Sequence, residues 1–388
     1  MPKLMRITTA AMALKHLLKG QPAFMRQQGW EVVLVSADGP EKKEVELREG
    51  CRYEVVNMRR DIAPLADLQH LWQLVQLMRR ERPQIVHTHT PKAGLLGMLA
   101  AWYTGVPVRL HTIAGLRYMT ATGWQRQLLI AMEKLTYRMA TQVYANSRGI
   151  YQYVQAARLL PASKLDIIGH GSSNGIDTRL FDRSAISAER LAAARRQLDY
   201  REGIFYTLVV GRIVRDKGIE DILAAFEQLY SRHPQVRLVL IGAYEPHLDP
   251  IGEAAQRVLQ THPGIIQLPW SPDVAAFMAT AQLLLHASYR EGLPNVLLEA
   301  ASLGCPIICS RIPGNTDVVT DESAGGLFDV KSPAQLVLVW EQCIVEVAAT
   351  AAKAERLQQY VRTHFDRQQL HMALHQAYLA HLAAATQP

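Results

Sequence analysis

Short apolar runs alternate with amphipathic helical stretches along almost the whole sequence, and this alternation restricts the fold more than any other feature. Leu4–Thr8, Glu31–Ser36, Arg52–Val56, Gln84–Thr88, Val108–Thr112, Gln142–Ala145 and Leu165–Ile168 read as strands. Between them, helical spacing covers a stretch reaching about Gln28, then Ala66–Arg80, a stretch from Ala93, and Trp124–Ala140. Short runs that are apolar on both faces suit strands covered by helices on each side, so the pattern predicts parallel sheets with crossover helices. A more polar, helical region from Asn174 to Tyr200 reads as a join, and a second set follows: Phe205–Gly211, Arg237–Gly242, Gly264–Leu268, Leu283–His286 and Pro306–Cys309. A length of 388 residues suits two such domains, placed at 1–178 and 179–364. The expected fold class is therefore α/β, with two Rossmann-like domains facing a central cleft, because open parallel sheets bind ligands outside the carboxyl ends of their strands.

The stretch His286 to Gly304 concentrates the chemistry. An apolar strand leads into a turn at Tyr289–Gly292, and Pro294 then stands where a first helical residue is expected. Glycine at 292 lets backbone amides come close to a ligand, and the free amides of a helix start, with the positive end of its dipole behind them, make an anion site. Glu291 lies just ahead of this helix and Glu299 inside it, with seven residues between. Val296, Leu297, Leu298, Ala300, Ala301 and Leu303 make the helix apolar nearly all round, which predicts burial, and a carboxylate there needs partners. By themselves the two acids read equally as a paired core acid with a solvated loop acid, or as groups that hold a ribose diol and a sugar.

A second constellation, Gly211-Arg212-Ile213-Val214-Arg215-Asp216-Lys217-Gly218, follows the first strand of the second set. A strand end, a glycine and two cations five positions apart can clamp a diphosphate, Arg212 through its fork and Lys217 as a point charge, or can be a solvated loop.

Glu291 and Glu299, inside Arg-Glu-Gly-Leu-Pro-Asn-Val-Leu-Leu-Glu-Ala, resemble the Glu-x7-Glu motif of retaining nucleotide-sugar glycosyltransferases of family four, which have the GT-B fold. Gly211-Arg212 and Lys217-Gly218 resemble the donor-phosphate element of the same family, in the same order. The resemblance implies that Gly211, Arg212, Lys217 and the Gly292, Leu293, Pro294, Asn295 segment hold the diphosphate, that Glu299 holds the ribose, and that Glu291 meets the sugar hydroxyls. His111, at the end of Val108–Thr112 and ahead of a glycine loop, reads by itself as a core residue, but it is similar in position to the family's histidine beside the donor sugar. His111, Glu291, Arg212 and Lys217 are thus the expected catalytic residues. Asn174-Gly175-Ile176-Asp177 resembles the segment that closes the first domain, and Gly314-Asn315 with Asp317 a loop that packs near the donor. The resemblance also implies that the C-terminal helix, about 365–388, packs back on the first domain.

The expected substrate is a nucleotide sugar, most simply UDP-linked, with no further cofactor. The acceptor would be a glycan or an undecaprenyl-linked saccharide, and the product an α-linked hexosyl or N-acetylhexosaminyl unit of a cell-surface polysaccharide. A nucleotide-sugar epimerase of the same fold and a non-catalytic nucleotide-sugar-binding scaffold are the alternatives. Where many family members carry a glycine-rich loop after the first strand, only Gly20 remains, in Leu18-Lys19-Gly20-Gln21, similar to bacterial capsule, O-antigen and exopolysaccharide enzymes.

Other features limit the remaining classes. His87 and His89 are alternate residues of a strand-to-helix loop, but no acid or third histidine stands near them and no Asp-x-Asp occurs, so no metal is expected and acceptor contact or ordinary structure explains them better. The balance of 42 Lys+Arg against 35 Asp+Glu gives +7, which suits a phosphorylated substrate or an anionic membrane face. No basic run interleaved with aromatics appears, so nucleic acid is not an expected partner. Leu68, Leu71, Trp72, Val75 and Met78 read as a core stripe with the basic Arg79-Arg80-Glu81-Arg82 behind it; the alternative is a basic, partly apolar face on anionic lipid. Four cysteines without C-x-x-C spacing, no cleavable leader pattern and no long apolar span predict a cytoplasmic protein, with peripheral contact at the inner face of the cell membrane as its membrane option.

Overall fold

The computed structural model describes residues 1–59, 61–245 and 249–386. The chain divides into two units, Met1–Gly175 with Arg367–Pro388, and Ile176–Asp366. The first stops at Gly175 rather than 178 because Ile176 already belongs to the second, where its amide donates to the Phe365 carbonyl at 2.8 Å and it bridges Asp366.

In chain order the first unit contains β1 (Lys3–Ala10), α1 (Ala11–Leu17), α2 (Gln21–Gln27), β2 (Glu31–Ala37), α3 (Lys42–Glu49), β3 (Arg52–Val55), α4 (Pro64–Glu81), β4 (Ile85–His89), α5 (Pro91–Tyr103), β5 (Val108–Ile113), α6 (Gly123–Met139), β6 (Gln142–Ala145), α7 (Arg148–Ala156) and β7 (Leu165–Asp166). Every pairing is parallel, in the order β3-β2-β1-β4-β5-β6-β7, which reverses between β1 and β4. The stretch read as one helix to Gln28 is two helices broken around Gly20. The second, α2, starts where Glu49, buried on α3, accepts from the Gly20 and Ala23 amides at 2.9 and 3.2 Å.

The second unit contains α8 (Ala188–Gln197), β8 (Phe205–Val210), α9 (Ile219–Arg232), β9 (Val236–Ile241), α10 (Glu253–Thr261), β10 (Ile265–Leu268), α11 (Val274–Thr280), β11 (Leu283–His286), α12 (Asn295–Ser302), β12 (Ile307–Ser310), α13 (Asn315–Val318), β13 (Gly326–Phe328), α14 (Pro333–Val345) and α15 (Val347–His364). Its parallel order, β10-β9-β8-β11-β12-β13, reverses between β8 and β11. The polar region expected as a join is part of this unit: Ala194 and Leu198 of the α8 segment are buried in its core, and Arg190 pairs with Asp273 at 2.6 Å.

The last helix, α16 (Arg367–Thr386), returns to the first unit. Arg6 of β1, fully buried, donates to the Tyr378 hydroxyl of α16 at 2.8 Å and to Gln21 Oε1 at 2.5 Å. His89 Nε2 lies 2.7 Å from the same guanidinium, and His87 joins Tyr378 and Thr112 at 2.7 and 2.8 Å. Burial, followed by neighbouring positive charge, pushes both histidines well below their usual pKa. Neutral and committed to the core, they are structural, the ordinary reading of the two that their spacing allowed.

On α4 the expected core stripe holds only in part. Val75 and Met78 are buried, but Leu68 and Trp72 are 66% and 51% exposed, with Arg79 stacked over the Trp72 and Tyr103 rings. The buried side of the helix is set by Leu74, Val75, Leu77 and Met78, which puts residues 68 and 72 toward solvent. Among the described residues no single helix is long and apolar enough to cross a membrane; the pair α14 and α15 passes by length and composition but is bent by 101°.

Candidate active site

The second unit's site forms at the carboxyl ends of β8 and β11, the two strands that flank its switch in strand order, where an open parallel sheet leaves a crevice. After β8 the chain passes Gly211 and Arg212 into a 3₁₀ turn, Arg215–Lys217, and α9 begins after Gly218. Gly218 has φ 67°, and a Cβ there would stand 2.2 Å from the Ala287 carbonyl oxygen. Only glycine lets the Lys217 turn lie this close to the loop after β11. The two loops are also cross-linked: the Tyr289 amide donates to the Asp216 carbonyl at 2.9 Å, Arg290 pairs with Asp216 at 2.5 Å, and the Tyr289 hydroxyl donates to Asp221 at 2.9 Å. On the far side, Gly314, with φ 87°, would carry a Cβ 2.0 Å from the Gly292 carbonyl.

This arrangement brings Lys217 and Glu291 together. The ammonium is paired with Glu291 Oε1, and His286 Nε2, from the last residue of β11, lies 3.2 Å from the same oxygen. Burial opposes the charge on Glu291, but Lys217 and His286 outweigh it and hold its carboxyl well below the usual range. Burial lowers His286, so it faces Glu291 as a neutral ring. Neither His286 nor the Asp216–Arg290 pair was among the expected site residues. The signal for His286 was in plain sight: a polar residue ending the apolar strand from which the motif departs.

The helix start differs slightly from expectation. Pro294 is the residue before α12, not its first, with an extended backbone (φ −77°, ψ 120°) and no amide to give. No side chain caps this end, so the donors it offers belong to the residues around Pro294, Asn295 foremost. Nor is α12 buried all round. Leu297, Leu298, Ala300 and Ala301 face the core, whereas Asn295, Val296 and Glu299 share a half-buried side. Positions one turn apart put Glu299 on the same side as the helix start. Arg212 is about half exposed and pairs at 3.0 Å with Glu245, beyond β9, a partner that sequence spacing did not reveal.

His111 belongs to the first unit. It is buried on β5, and its Nδ1 lies 2.8 Å from Thr88 Oγ1 of β4. Burial drives its pKa down to about 4, so it is a neutral imidazole near pH 7. Gly94 on α5 makes room for the ring, since a Cβ there would be 2.5 Å from it. At this unit's own strand-order switch, the Thr9 amide donates to Thr90 Oγ1 at 3.1 Å. Asn174 is buried, accepting from Gln21 at 3.3 Å and paired with His371 of α16 at 2.9 Å. Asn315 donates to the Ser310 carbonyl at 3.0 Å and is fully buried. Among the described residues no cluster of three or more metal-ligating side chains occurs.

Residues 19–171 match the Glycosyl transferase 4-like domain family, and residues 192–363 match Glycosyl transferases group 1. The chain is 32% identical to the capsular polysaccharide biosynthesis glycosyltransferase CapM of Staphylococcus aureus, over 84% of this chain and 83% of that protein. It is 25% identical, over 71% of its length and 70% of the relative's, to the Escherichia coli UDP-Gal:alpha-D-GlcNAc-diphosphoundecaprenol alpha-1,3-galactosyltransferase. The fold matches that of Anabaena Alr3699/HepE, solved in complex with UDP and glucose, with TM-score 0.81 at 17% identity over 98% of this chain and 100% of that one. It also matches WaaG, a glycosyltransferase involved in lipopolysaccharide biosynthesis, with TM-score 0.74 at 17% identity over 95% and 98%. Two parallel-sheet units, a cation and an acid joined at a strand-order switch, and these relatives lead to one conclusion: the chain belongs to the group 1, family-four glycosyltransferases of the GT-B fold, on the branch that includes the bacterial capsule enzymes.

Proposed function

We propose that this glycosyltransferase moves a hexosyl or N-acetylhexosaminyl unit from a UDP-linked donor to a glycan or undecaprenyl-linked saccharide, with retention, forming an α bond in a cell-surface polysaccharide. The observation that carries the reading is the half-buried Lys217–Glu291 pair beside an uncapped helix start. A diphosphate arriving there meets the amides of the first turn of α12 and competes with Glu291 for the Lys217 ammonium. Arg212, half exposed, can turn its fork from Glu245 to the same phosphates. Charge grows on the departing diphosphate as the glycosidic bond breaks, and donors already in place stabilise it; each is worth about two to three orders of magnitude in rate. Glu299 accepts from the ribose diol, Glu291 from the sugar hydroxyls, and neutral His111 contacts the sugar near the reacting carbon. With no nucleophile assigned beneath the sugar, the acceptor attacks from the leaving-group side and the leaving phosphate takes its proton. A β product from an α donor would overturn that route.

The UDP donor and the polyprenyl-linked acceptor are supported by the Escherichia coli relative's named reaction, and capsule synthesis by CapM. Leaving-group charge met by Lys217, Arg212 and amides makes metal dispensable, so turnover in EDTA should match turnover in magnesium. Exposed Leu65, Leu68 and Trp72 with Arg79 on α4 support peripheral contact with anionic lipid at the cytoplasmic face. The first experiment is calorimetric titration of UDP, GDP and ADP, without metal, into the wild type, Glu299→Gln and Lys217→Ala. Tight UDP binding weakened by both changes, with little response to GDP or ADP, is expected. Well-folded protein that binds no nucleotide would overturn the reading.

A further inference from the structure

The Glu291 carboxylate is loaded on one side. Lys217 and His286 both approach Oε1, and no hydrogen bond or ion pair reaches Oε2 among the described residues. The His286 side chain is only 7% exposed, and its Nε2, 3.2 Å from Oε1, has no aligned hydrogen-bond partner. A buried ring nitrogen facing a carboxylate carries its proton on that nitrogen, and an N–H left unbonded there is costly. Its position in the structure is that of a donor waiting for the carboxylate to turn.

We propose that His286 is a positioning residue for the donor sugar: when a diphosphate takes Lys217 away, His286 Nε2–H becomes the bond that holds Glu291 Oε1 and presents Oε2 to the sugar hydroxyls. The inference rests on the proposed donor reading and deepens it. Lys217 serves the diphosphate, whereas His286, at the end of rigid β11, serves the sugar alone by fixing the acid that touches it. Among the described residues, the charged and titratable groups that set the charge of Glu291 are these two, one from the turn after β8 and one from β11. His286 thereby separates two affinities that Lys217 and Glu291 join.

Calorimetry with UDP, UDP-glucose, UDP-galactose and UDP-N-acetylglucosamine on the wild type, His286→Leu and His286→Gln tests this. For the UDP-sugar that the wild type binds most tightly, His286→Leu should weaken affinity about 10- to 100-fold, the loss of one hydrogen bond to a charged group. UDP affinity should stay within about twofold, and His286→Gln, whose amide N–H reaches a similar place, should recover most of the loss. The acid limb of UDP-sugar binding should move to higher pH in His286→Leu, because Glu291 loses a donor, and return in His286→Gln. His286→Asn, too short to reach Oε1, takes the place of the leucine variant should that one not fold. Equal loss of UDP and UDP-sugar, or no change in either, would overturn the proposal while leaving the donor reading intact. A wild type that binds no UDP would overturn both.

Discussion

Glu291 is a half-buried carboxylate held ionised by a lysine, and that decides how the protein responds to acid. Burial raises its pKa, Lys217 and His286 lower it, and the lowering wins. A carboxyl depressed in the fold stabilises the protein above its unfolded value, about 4.3, and that contribution is lost as pH falls through the lower folded value. Lys217→Met leaves the acid without its cation and should cost about 1–3 kcal/mol at pH 7. The cost should shrink toward pH 4, where the stranded carboxylate takes up a proton, and Lys217→Met with Glu291→Gln should restore at least half of it. Urea unfolding at pH 7, 5 and 4 measures all three. A cost that does not change with pH would mean that the ion pair is not what Lys217 contributes.

At the scale of elements, the site is a set of loops held by backbone contact. Gly314 is where the β12 loop rests on the Gly292 carbonyl, 2.0 Å from where a Cβ would be. Gly314→Ala should displace the segment ahead of α12, with turnover falling by about tenfold or more and stability by about 1–3 kcal/mol. Gly203→Ala is the control, since Gly203 also has positive φ (80°) but nothing within 4 Å of its Cβ position. If thermal unfolding and turnover move equally in both, backbone conformation and not loop contact is responsible. Elements of this kind differ in how far sequence reveals them. Long apolar runs such as Val108–Thr112 and Phe205–Gly211 gave strands near their observed bounds, because a parallel strand is buried on both faces and leaves a plain signal. The three-residue β13 and the short α3 were missed, being too short to carry a period. Glu291 and Lys217 were legible one at a time through motif spacing, but their pairing was not. It depends on β8 and β11 lying side by side, a non-local fact that a separation of 74 positions along the chain conceals. For the same reason Trp72 was placed inside: helical spacing marks a stripe but not which of its positions the neighbouring helix covers.

Over the whole molecule, the first unit is made of two separate pieces of chain. The Tyr378 hydroxyl accepts from Arg6, 372 residues away, and lies 2.7 Å from His87 Nδ1. Tyr378→Phe keeps the ring and strips both buried partners of that oxygen, so unfolding of the first unit should be easier by about 1–3 kcal/mol. Hydrogen exchange read unit by unit checks this: amides of β1 and β4 should lose protection while those of β8 and β11 do not. Equal loss in both units would mean that they unfold as one. The divided first unit also fixes an order of events during synthesis. Its sheet is translated by Gly175, but its last helix emerges only after the entire second unit, which at about 5–20 residues per second is a delay of roughly 10–40 s. Until then Arg6, a cation destined for the core, lacks the hydroxyl from α16. The half of the protein that leaves the ribosome first is thus the last to be finished, and its newborn sheet is a natural client for chaperones.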